Sequence, residues 1–581
     1  MVNVKNLFGM AVVATALVGC SSNDNLTPNG NDNADKAGTA YASFKINLPT
    51  TSGTRADDPT PGTPSFDEGT AAEYEVKNGT ILIFDNDGKF VESAELGTMN
   101  LWTKDTDDNG VTTAAAVTVQ LSKVTVGGNY QALVLLNNNT NTADQKVTLP
   151  TEGTPYATWS ADATNANSVK YALTDGIFMA NAPKYKSTTE NPSTLVAFNN
   201  VYGSREQAQA NPATVVYVER GLAKVTMDDF ATEYTIGAGN TYAGDKVVIK
   251  NWQLDVTNKS TFPIHQLGNL STDYTGIWST GRFFDGTNTT FMRVYWGIDP
   301  NYSDNTLYNG TSSPTVKTAL ECCQEAFDMI TDNTKIIGKT GAANPQYCLE
   351  NTFNLDNMMQ GQTTRVVFKA VYTPKALVGE SVKTFYKVAN NTAVWKEADL
   401  KQQIRTLALQ AMKITAASEQ AYYDVDLSKG TNISGVAGQH LVQKENITFS
   451  GTGTSKITDD VVKEINEKLG LSKDATTNKV KVGISTYLNG EAYYIARIKH
   501  FNELTPWTAG TPYGTDNASF LGRYGVLRNN WYSLSVNKIS NLGYPDIPEV
   551  KPETQDDEND QYINVEVKIL DWAKRSQSID L

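Results

Sequence analysis

The sequence is poor in the residues from which catalytic centres are usually built. Its 581 residues include four cysteines and three histidines, and His265, His440 and His500 are far apart in the chain. It contains no His-Glu-x-x-His motif and no Gly-x-Ser-x-Gly elbow, which hold the zinc and the nucleophile of common hydrolases. No acidic pair stands out either. We therefore predict no catalytic residues, no metal and no cofactor, and we expect that the protein is not an enzyme.

Two short motifs resemble ligand-binding loops but depart from them at a required position. Residues 338–340, Gly-Lys-Thr, resemble the end of a phosphate-binding loop, but Asn333 occupies the position of its first glycine. The acidic loop 105–110 has oxygen ligands at the spacing of a calcium loop, but Ala116 stands where a bidentate glutamate should close the site. A solvated loop is therefore the favoured interpretation of 105–110, with a calcium site as the alternative.

Charged residues are also scarce, and the few cations are dispersed. Only 19% of the residues are charged, and the formal net charge is −14. Basic residues neither cluster nor alternate with aromatic residues, as they do in proteins that bind nucleic acid. An acidic surface of this kind repels nucleic acid and anionic membranes and favours solubility, so we predict no nucleic-acid partner.

The cysteines are too few for a framework of disulfides. Apart from Cys20 there are three, the adjacent Cys322 and Cys323, and Cys348. An exported protein can oxidise one such pair, so a bridge from Cys348 to either neighbour remains open. Buried free thiols are the favoured interpretation.

The one long apolar run lies at the start of the chain. Lys5 precedes an apolar run at 7–18, and residues 17–20 read Leu-Val-Gly-Cys, the pattern of a bacterial lipobox. The run is shorter than the ~20 residues that a spanning helix needs. We predict a signal peptide at 1–19 and a lipid on Cys20, so that the exported precursor meets the membrane only through its lipid. An ordinary signal peptide with a chance cysteine is the alternative.

Short strands separated by Thr-, Asn- and Gly-rich loops follow, which is typical of β-sandwiches. We predict an all-β protein with a few helical insertions and place a domain boundary in the polar stretch 231–244. A β-hairpin with an Asp-Gly turn is predicted within 73–91. Further strands are predicted at 116–121, 130–136, 214–218, 223–227, 247–256, 291–296, 365–372, 482–488, 492–498 and 531–539. Helices are predicted at 400–414 and 458–469, as decorations packed on the sandwich.

The two ends of the folded chain carry strands of the same pattern. Residues 563–569 alternate apolar and polar side chains, and so do residues 42–48, which lie shortly before Arg55. Arg55 stands in a Thr-, Ser-, Gly- and Asp-rich stretch suited to proteolysis. If a protease removed the first strand, a sandwich would lose one edge and expose an apolar groove, which the C-terminal strand of a neighbour would fill.

The region 544–561, rich in proline and acidic residues, is expected to be an extended and partly disordered tether that lets the last strand reach away from its own domain. The alternative is an ordinary last strand folded into its own domain.

Several segments, in this order and at this spacing, resemble the fimbrillins of Bacteroidales, and most closely the major (shaft) subunit of the short fimbriae, a type V pilin. The segments are the lipobox at Cys20, Arg55, VERGLAKV at 218–225, CLENT at 348–352, RVVFKAVYTP at 365–374, VLRNNWYSL at 526–534, Leu-Gly at 542–543, VEVKILDW at 565–572 and Asp-Leu at 580–581.

The resemblance implies two tandem β-sandwich domains of transthyretin-like Greek-key topology and a C-terminal donor strand. The implied boundaries are a signal peptide at 1–19, a lipidated propeptide with a removable strand at 20–55, an N-terminal sandwich at 56–237, a C-terminal sandwich at 238–544, an acidic Pro-rich tether at 545–561 and a donor strand at 562–581.

For function, the resemblance implies a structural subunit of a surface fimbria that polymerises by protease-triggered donor-strand exchange and supports adhesion or biofilm formation. An arginine-specific protease would cut between Arg55 and Ala56. The displaced strand would use Phe44, Ile46 and Leu48. The donor strand would use Ile563, Val565, Val567, Ile569 and Trp572.

The implied partners are copies of the same chain joined head to tail, accessory anchor and tip subunits, the protease, and ligands on host or bacterial surfaces. The implied location is the cell-surface fimbrium, reached from a palmitate-bearing lipoprotein precursor of the outer membrane.

A function of another class remains open. A monomeric surface lipoprotein would bind glycans or host proteins through exposed aromatic side chains, for which Trp102, Trp159 and Trp507 are the candidates.

Overall fold

A computed structural model of the chain describes most of the folded body. The described residues are 39–49, 70–97, 103–104, 111–138, 147–162, 176–185, 192–274, 292–311, 317–430, 437–500, 517–556 and 563–571. The predictions on the signal peptide, Cys20, Arg55, Ala56, the loop 105–110, Trp102, Trp507 and Trp572 lie outside these ranges. Within them, no helix combines the length and the apolar character needed to cross a membrane.

The N-terminal body is a sandwich built on a ten-stranded sheet that folds over itself. Its strands are β1 (Ala40–Pro49), β2 (Gly79–Phe84), β3 (Phe90–Glu95), β4 (Thr103–Lys104), β5 (Val111–Leu121), β6 (Tyr130–Leu136), β7 (Met179–Asn181), β8 (Lys184–Tyr185), β9 (Val196–Phe198), β10 (Val201–Tyr202) and β11 (Thr214–Arg220). Its helices are α1 (Ala71–Tyr74), α2 (Tyr156–Ser160) and α3 (Arg205–Ala210).

The strand order of this sheet is β3-β2-β6-β7-β11-β1-β5-β4. The two remaining strands lie beside this path, β9 paired with β6 and β10 paired with β1, and β8 is not part of the sheet. The inward side chains of β1, β2, β5, β6 and β11 form one apolar core. A second core lies on the other face of β2 and β6, where Trp159 of α2 covers it. The predicted hairpin is confirmed, because β2 and β3 pair antiparallel around a turn in which Gly88 has φ of 74°.

The C-terminal body begins with β12 (Leu222–Met227), one residue after β11. Its next strands are β13 (Tyr234–Thr235), β14 (Lys246–Asp255), β15 (Thr257–Asn258), β16 (Met292–Arg293), β17 (Phe327–Asp328), β18 (Gln346–Leu349) and β19 (Arg365–Thr373). Its helices are α4 (Leu270–Asp273), α5 (Thr306–Asn309) and α6 (Ala319–Ala326). The predicted strand 291–296 is reduced to the two residues of β16, because the residues after it leave the ladder and pack Tyr295 and Trp296 into a satellite core.

An insertion between residues 374 and 490 forms a small body of its own. Its strands are β20 (Phe385–Val388), β21 (Tyr423–Val425), β22 (Gly438–His440), β23 (Ile447–Phe449), β24 (Ser472–Lys473), β25 (Val480–Val482) and β26 (Ile484–Tyr487). Its helices are α7 (Glu397–Ala411), α8 (Ala417–Gln420) and α9 (Asp459–Lys468). Both predicted helices therefore exist as α7 and α9, but they pack with these strands around a separate apolar core and are not decorations on the sandwich.

Three strands complete the C-terminal sandwich, namely β27 (Glu491–Arg497), β28 (Asn530–Ile539) and β29 (Ile563–Asp571). One sheet has the order β18-β12-β28-β29 and the other β13-β14-β19-β27, with the largest apolar core between them. The all-β class is therefore confirmed, while the transthyretin-like topology stays a prediction. Short 3-10 turns lie at Asn333–Lys335, Leu355–Asn357, Lys375–Leu377, Lys444–Asn446, Leu488–Gly490 and Asn517–Phe520.

Two expected boundaries differ from the structure. The change from the N-terminal to the C-terminal sheet occurs at Gly221, between β11 and β12, and not in the polar stretch 231–244, which belongs to the C-terminal body.

The expected tether at 545–561 is held to the body over its first part. Arg365 donates from Nη2 to the carbonyl of Pro548 at 2.7 Å, and Asp556 is buried with its Oδ2 accepting from Thr363. Residues 557–562 lie outside the described ranges.

The three described cysteines form no disulfide, and all three are buried. Burial raises the pKa of Cys323 to about 12 and that of Cys348 to about 12. The favoured interpretation, buried thiols without a disulfide, is confirmed for these residues.

We expect Cys322, Cys323 and Cys348 to resist thiol reagents in the folded protein, Cys322 because it is buried and the other two because their buried thiols also ionise rarely. At pH 8 a thiol with a pKa near 12 is ionised to roughly one part in 10,000, and the thiolate is the reactive form. Titration with a chromogenic disulfide in a Cys20→Ser chain should detect no fast thiol before unfolding and three after it. A stoichiometric fast reaction of the folded protein would contradict this assignment.

Candidate assembly site

Strand β1 lies inside the N-terminal sheet and is paired along both of its edges. On one side it runs antiparallel to β5, from Ala40 opposite Leu121 to Leu48 opposite Thr113. On the other side it pairs antiparallel with β10 and then parallel with β11. The sequence led us to expect that loss of this strand would remove one edge of a sandwich. The structure corrects this, because its loss would open a slot between two remaining strands.

The inward face of β1 is part of the main N-terminal core. Ala40, Ala42, Phe44, Ile46 and Leu48 are each at most 1% exposed. The ring of Phe44 meets Phe198 edge to face, with 5.1 Å between centroids. The floor of the slot is therefore apolar, and it is shaped for side chains at every second position of a strand.

The outward face of β1 carries Tyr41, Ser43, Lys45 and Asn47, of which only Lys45 is exposed. Ser43 shares a hydrogen bond of 2.8 Å with Thr118 of β5, and the guanidinium of Arg205 lies 5.6 Å from the ring centroid of Tyr41. These contacts add to the two backbone ladders and the apolar face, which any strand in this position must supply. Another strand of the same apolar alternation satisfies both requirements.

The C-terminal strand β29 is paired along one edge. It runs antiparallel to β28, from Asn530 opposite Asp571 to Ile539 opposite Ile563, with an irregularity between Val536 and Lys538. In this structure the last strand therefore lies in its own domain, the alternative weighed from the sequence. As the end of the order β18-β12-β28-β29, its second edge has no strand of the described chain beside it.

The next described segment after β1 begins at residue 70 and contains the buried carboxylate of Glu73. Glu73 of α1 is fully buried, and its Oε1 lies 2.8 Å from Nζ of Lys224 on β12. The hydroxyl of Tyr347 on β18 also donates to Oε1. Burial raises the pKa of Glu73, but the hydrogen bonds from Lys224 and Tyr347 outweigh it and leave the pKa below its usual value. The carboxylate is thus ionised and fixes this segment against the C-terminal sheet.

The structure describes the side chains of some predicted site residues and only the backbone of others. Phe44, Ile46 and Leu48 are brought together on one buried face, as the displaced-strand prediction requires. Ile563, Val565, Val567 and Ile569 are placed on β29 by the backbone alone. Trp159 is 5% exposed and donates from Nε1 to the carbonyl of Thr148, so it is a core residue and not an open glycan platform.

Sequence reasoning missed the buried charges next to the site. Lys224 occupies a polar position of the predicted strand 223–227, where alternation favours an exposed side chain, and its partner Glu73 is 151 positions away in the chain. In the sequence analysis, the motif at 218–225, which contains Arg220 and Gly221, is the segment that lies next to these charges. Among the described residues, no group of three or more His, Cys, Asp or Glu side chains is placed to hold a metal ion.

Comparison with known proteins identifies the C-terminal region. Residues 485–578, which contain β27, β28 and β29, match the family model described as major fimbrial subunit protein type IV, Fimbrillin, C-terminal. No curated protein matches the chain.

Two solved structures show distant likeness. A fimbrial assembly protein from Parabacteroides distasonis ATCC 8503 is 11% identical, with 56% of this chain and 94% of that chain covered and a TM-score of 0.25. The tip fimbrial protein Mfa3 from Porphyromonas gingivalis, with a C-terminal truncation, is 11% identical, with 92% of this chain and 100% of that chain covered and a TM-score of 0.25. TM-scores this low support no argument from those structures.

Replacing Phe44 by alanine should destabilise the uncleaved precursor, because it leaves a cavity beside Phe198 in a packed core. We expect the free energy of unfolding to fall by about 3–5 kcal/mol, measured by urea unfolding. The control Lys45→Ala, at the exposed neighbouring position, should change it by less than about 0.5 kcal/mol. Equal effects of the two substitutions would show that β1 is not packed as described.

Proposed function

We propose that the chain is a fimbrillin-type protein and a shaft-type structural subunit that polymerises by donor-strand exchange once β1 has been removed. The match at residues 485–578 supports the predicted family, and with it the coarser statement that the chain is a subunit of a cell-surface fimbria. The trigger, the donor and the acceptor are the proposal.

The observation that carries the proposal is the position of β1 between β5 and the β10–β11 edge. A cut after Arg55 separates β1 from the rest of the chain, so that only noncovalent contacts retain it. Its departure leaves two rows of unpaired backbone groups and an apolar floor, which is costly in water. A strand that fills the slot restores both ladders and the core.

The C-terminal strand has the pattern that the slot requires. Ile563, Val565, Val567 and Ile569 alternate as Ala42, Phe44, Ile46 and Leu48 do. Burying four aliphatic side chains contributes roughly 6–12 kcal/mol before the entropy of ordering the chain is subtracted. For a strand that enters the slot from water, this apolar gain suffices for a stable junction.

The direction of exchange follows from the number of strand edges that are paired in each position. In its own domain β29 pairs with β28 alone, whereas in the slot a strand pairs with β5 on one side and with β10 and β11 on the other. A transfer from β28 to the slot gives up one ladder and gains two. We propose that the precursor stores its donor strand on β28, and that an emptied slot on a neighbour draws it out.

The resulting contact is head to tail and does not close, so it generates a filament. Each subunit receives a strand in its N-terminal body and donates one from its C-terminus. We further propose that the precursor is a lipoprotein of the outer membrane, that an arginine-specific protease triggers assembly, and that anchor and tip subunits complete the fimbria. Adhesion would follow from ligands on host or bacterial surfaces.

Treating the purified precursor with an arginine-specific protease should convert monomers into a ladder of oligomers, because cleavage frees β1 to leave. The Arg55→Ala variant should remain monomeric under the same treatment. Size-exclusion chromatography and electron microscopy provide the measurement. Oligomers of Arg55→Ala that equal those of the wild type would rule out this cut as the trigger.

Changing Ile563, Val565, Val567 and Ile569 together to aspartate should abolish the oligomer ladder, because a charged face cannot enter the apolar slot. The matched control combines Asn564→Asp with Lys568→Glu, which adds acidic charge at the alternate positions of the same strand and should preserve assembly. Fibres formed by the fourfold variant would disprove the donor role.

A further inference from the structure

We infer that buried charged side chains around Gly221 lock the two sandwiches in one orientation, and that this sets the angle at which each subunit presents its C-terminal strand relative to its own acceptor slot. The consequence for the filament rests on the proposed function. The lock itself is a property of the single chain.

The covalent connection alone does not fix this orientation. Strand β11 ends at Arg220 and β12 begins at Leu222, so one glycine links the two sheets. The amide of Gly221 donates to the carbonyl of Phe178 at 2.9 Å. A junction this short, in a residue with no side chain, is where a two-domain protein would bend unless other contacts prevent it.

The first bridge joins the N-terminal body to the C-terminal sheet through Glu73. Its carboxylate accepts from Lys224 and Tyr347, and its backbone carbonyl accepts from Nε of Arg220 at 2.8 Å. The ammonium of Lys224 also lies 3.8 Å from the ring centroid of Trp531 on β28. The segment that carries Glu73 is itself tied to the N-terminal body, because the side chain of Asn137 bonds the backbone of Glu75 and Lys77.

The second bridge is formed by a loop of the C-terminal body that inserts into the N-terminal body. The C-terminal loop 261–266 places Ile264 in the second core of the N-terminal body and His265 against Glu219 of β11, with Nδ1 and Oε1 2.8 Å apart. The same loop receives the guanidinium of Arg528, which bonds the carbonyls of Phe262 and Pro263.

Arg528 also pairs with Glu350 at 2.9 Å, so that the loop, the end of β18 and the start of β28 are held together. A further link is the two-residue ladder between β8 of the N-terminal body and β16 of the C-terminal body.

Holding the two bodies at one angle requires contacts that are satisfied in only one geometry. The apolar contact at the crossing, Ile177 with Leu222 and Leu349, is small and would tolerate sliding. Buried ion pairs add little net stability because of their desolvation cost, but they are satisfied in one geometry. Glu73 and Lys224 are at most 2% exposed, so a change of angle would strand a charge away from water.

The test measures the orientation of the two sandwiches in the uncleaved full chain carrying Cys20→Ser. Spin labels at Ser93→Cys on β3 and Lys250→Cys on β14, both exposed positions, report the distance between the bodies. We expect a single narrow distance distribution. In the double variant Glu73→Leu with Lys224→Met, the apolar pair should keep the fold while the distribution broadens by roughly twofold or more.

Three controls decide the outcome. Lys224→Met alone should lower the unfolding temperature, because it leaves Glu73 buried and unpaired, and the double variant should recover much of that loss. The exposed pair Lys123 and Glu152 within the N-terminal body, changed to methionine and leucine, should leave the distribution narrow. If the first double variant does not fold, Glu219→Met with His265→Leu tests the second bridge in the same way.

An unchanged width in a folded double variant, or equal broadening in the Lys123 and Glu152 control, would overturn the inference. Because no protease and no assembly enter the measurement, its failure is separate from a failure of donor-strand exchange.

Discussion

The double pairing of β1 is the constraint on which the rest of the molecule depends. A strand with a ladder on each side and an apolar face in the core cannot be lost without a replacement of the same form. A replacement strand must therefore match the slot in backbone shape and in its apolar alternation. Under the proposed function, this requirement defines the molecular task of the chain.

The separation of roles between the two bodies follows from this constraint. The N-terminal body offers a position between two strands, and the C-terminal body keeps the last strand at an edge of its sheet. An edge strand peels from one neighbour, whereas a strand inside a sheet must break with two. Under the proposed function, this difference supplies a direction for strand exchange without any energy source other than the proteolytic cut.

The sequence pattern predicted the strands that carry these roles, because β1 and the last strand alternate with period two. An apolar run followed by an Asp-Gly turn predicted the hairpin of β2 and β3. The sequence pattern predicted the helices α7 and α9 as well. It did not predict that β1 would lie between two strands, since pairing partners far apart in the chain leave no local pattern. The domain boundary was misplaced for a similar reason, because a crossing of one residue at Gly221 has none of the composition of a linker. The buried charges Glu73 and Lys224 resemble surface residues until the fold brings them together.

The crossing at Gly221 has a mechanical consequence. The slot wall β11 and the central strand β12 of the C-terminal sheet form one nearly uninterrupted length of backbone, and β12 runs parallel to β28. When a subunit is pulled from both ends, tension on the wall of the slot passes into the second sandwich along covalent bonds. A strand seated lengthwise in that slot is loaded in shear, so its hydrogen bonds resist together and do not unzip one at a time.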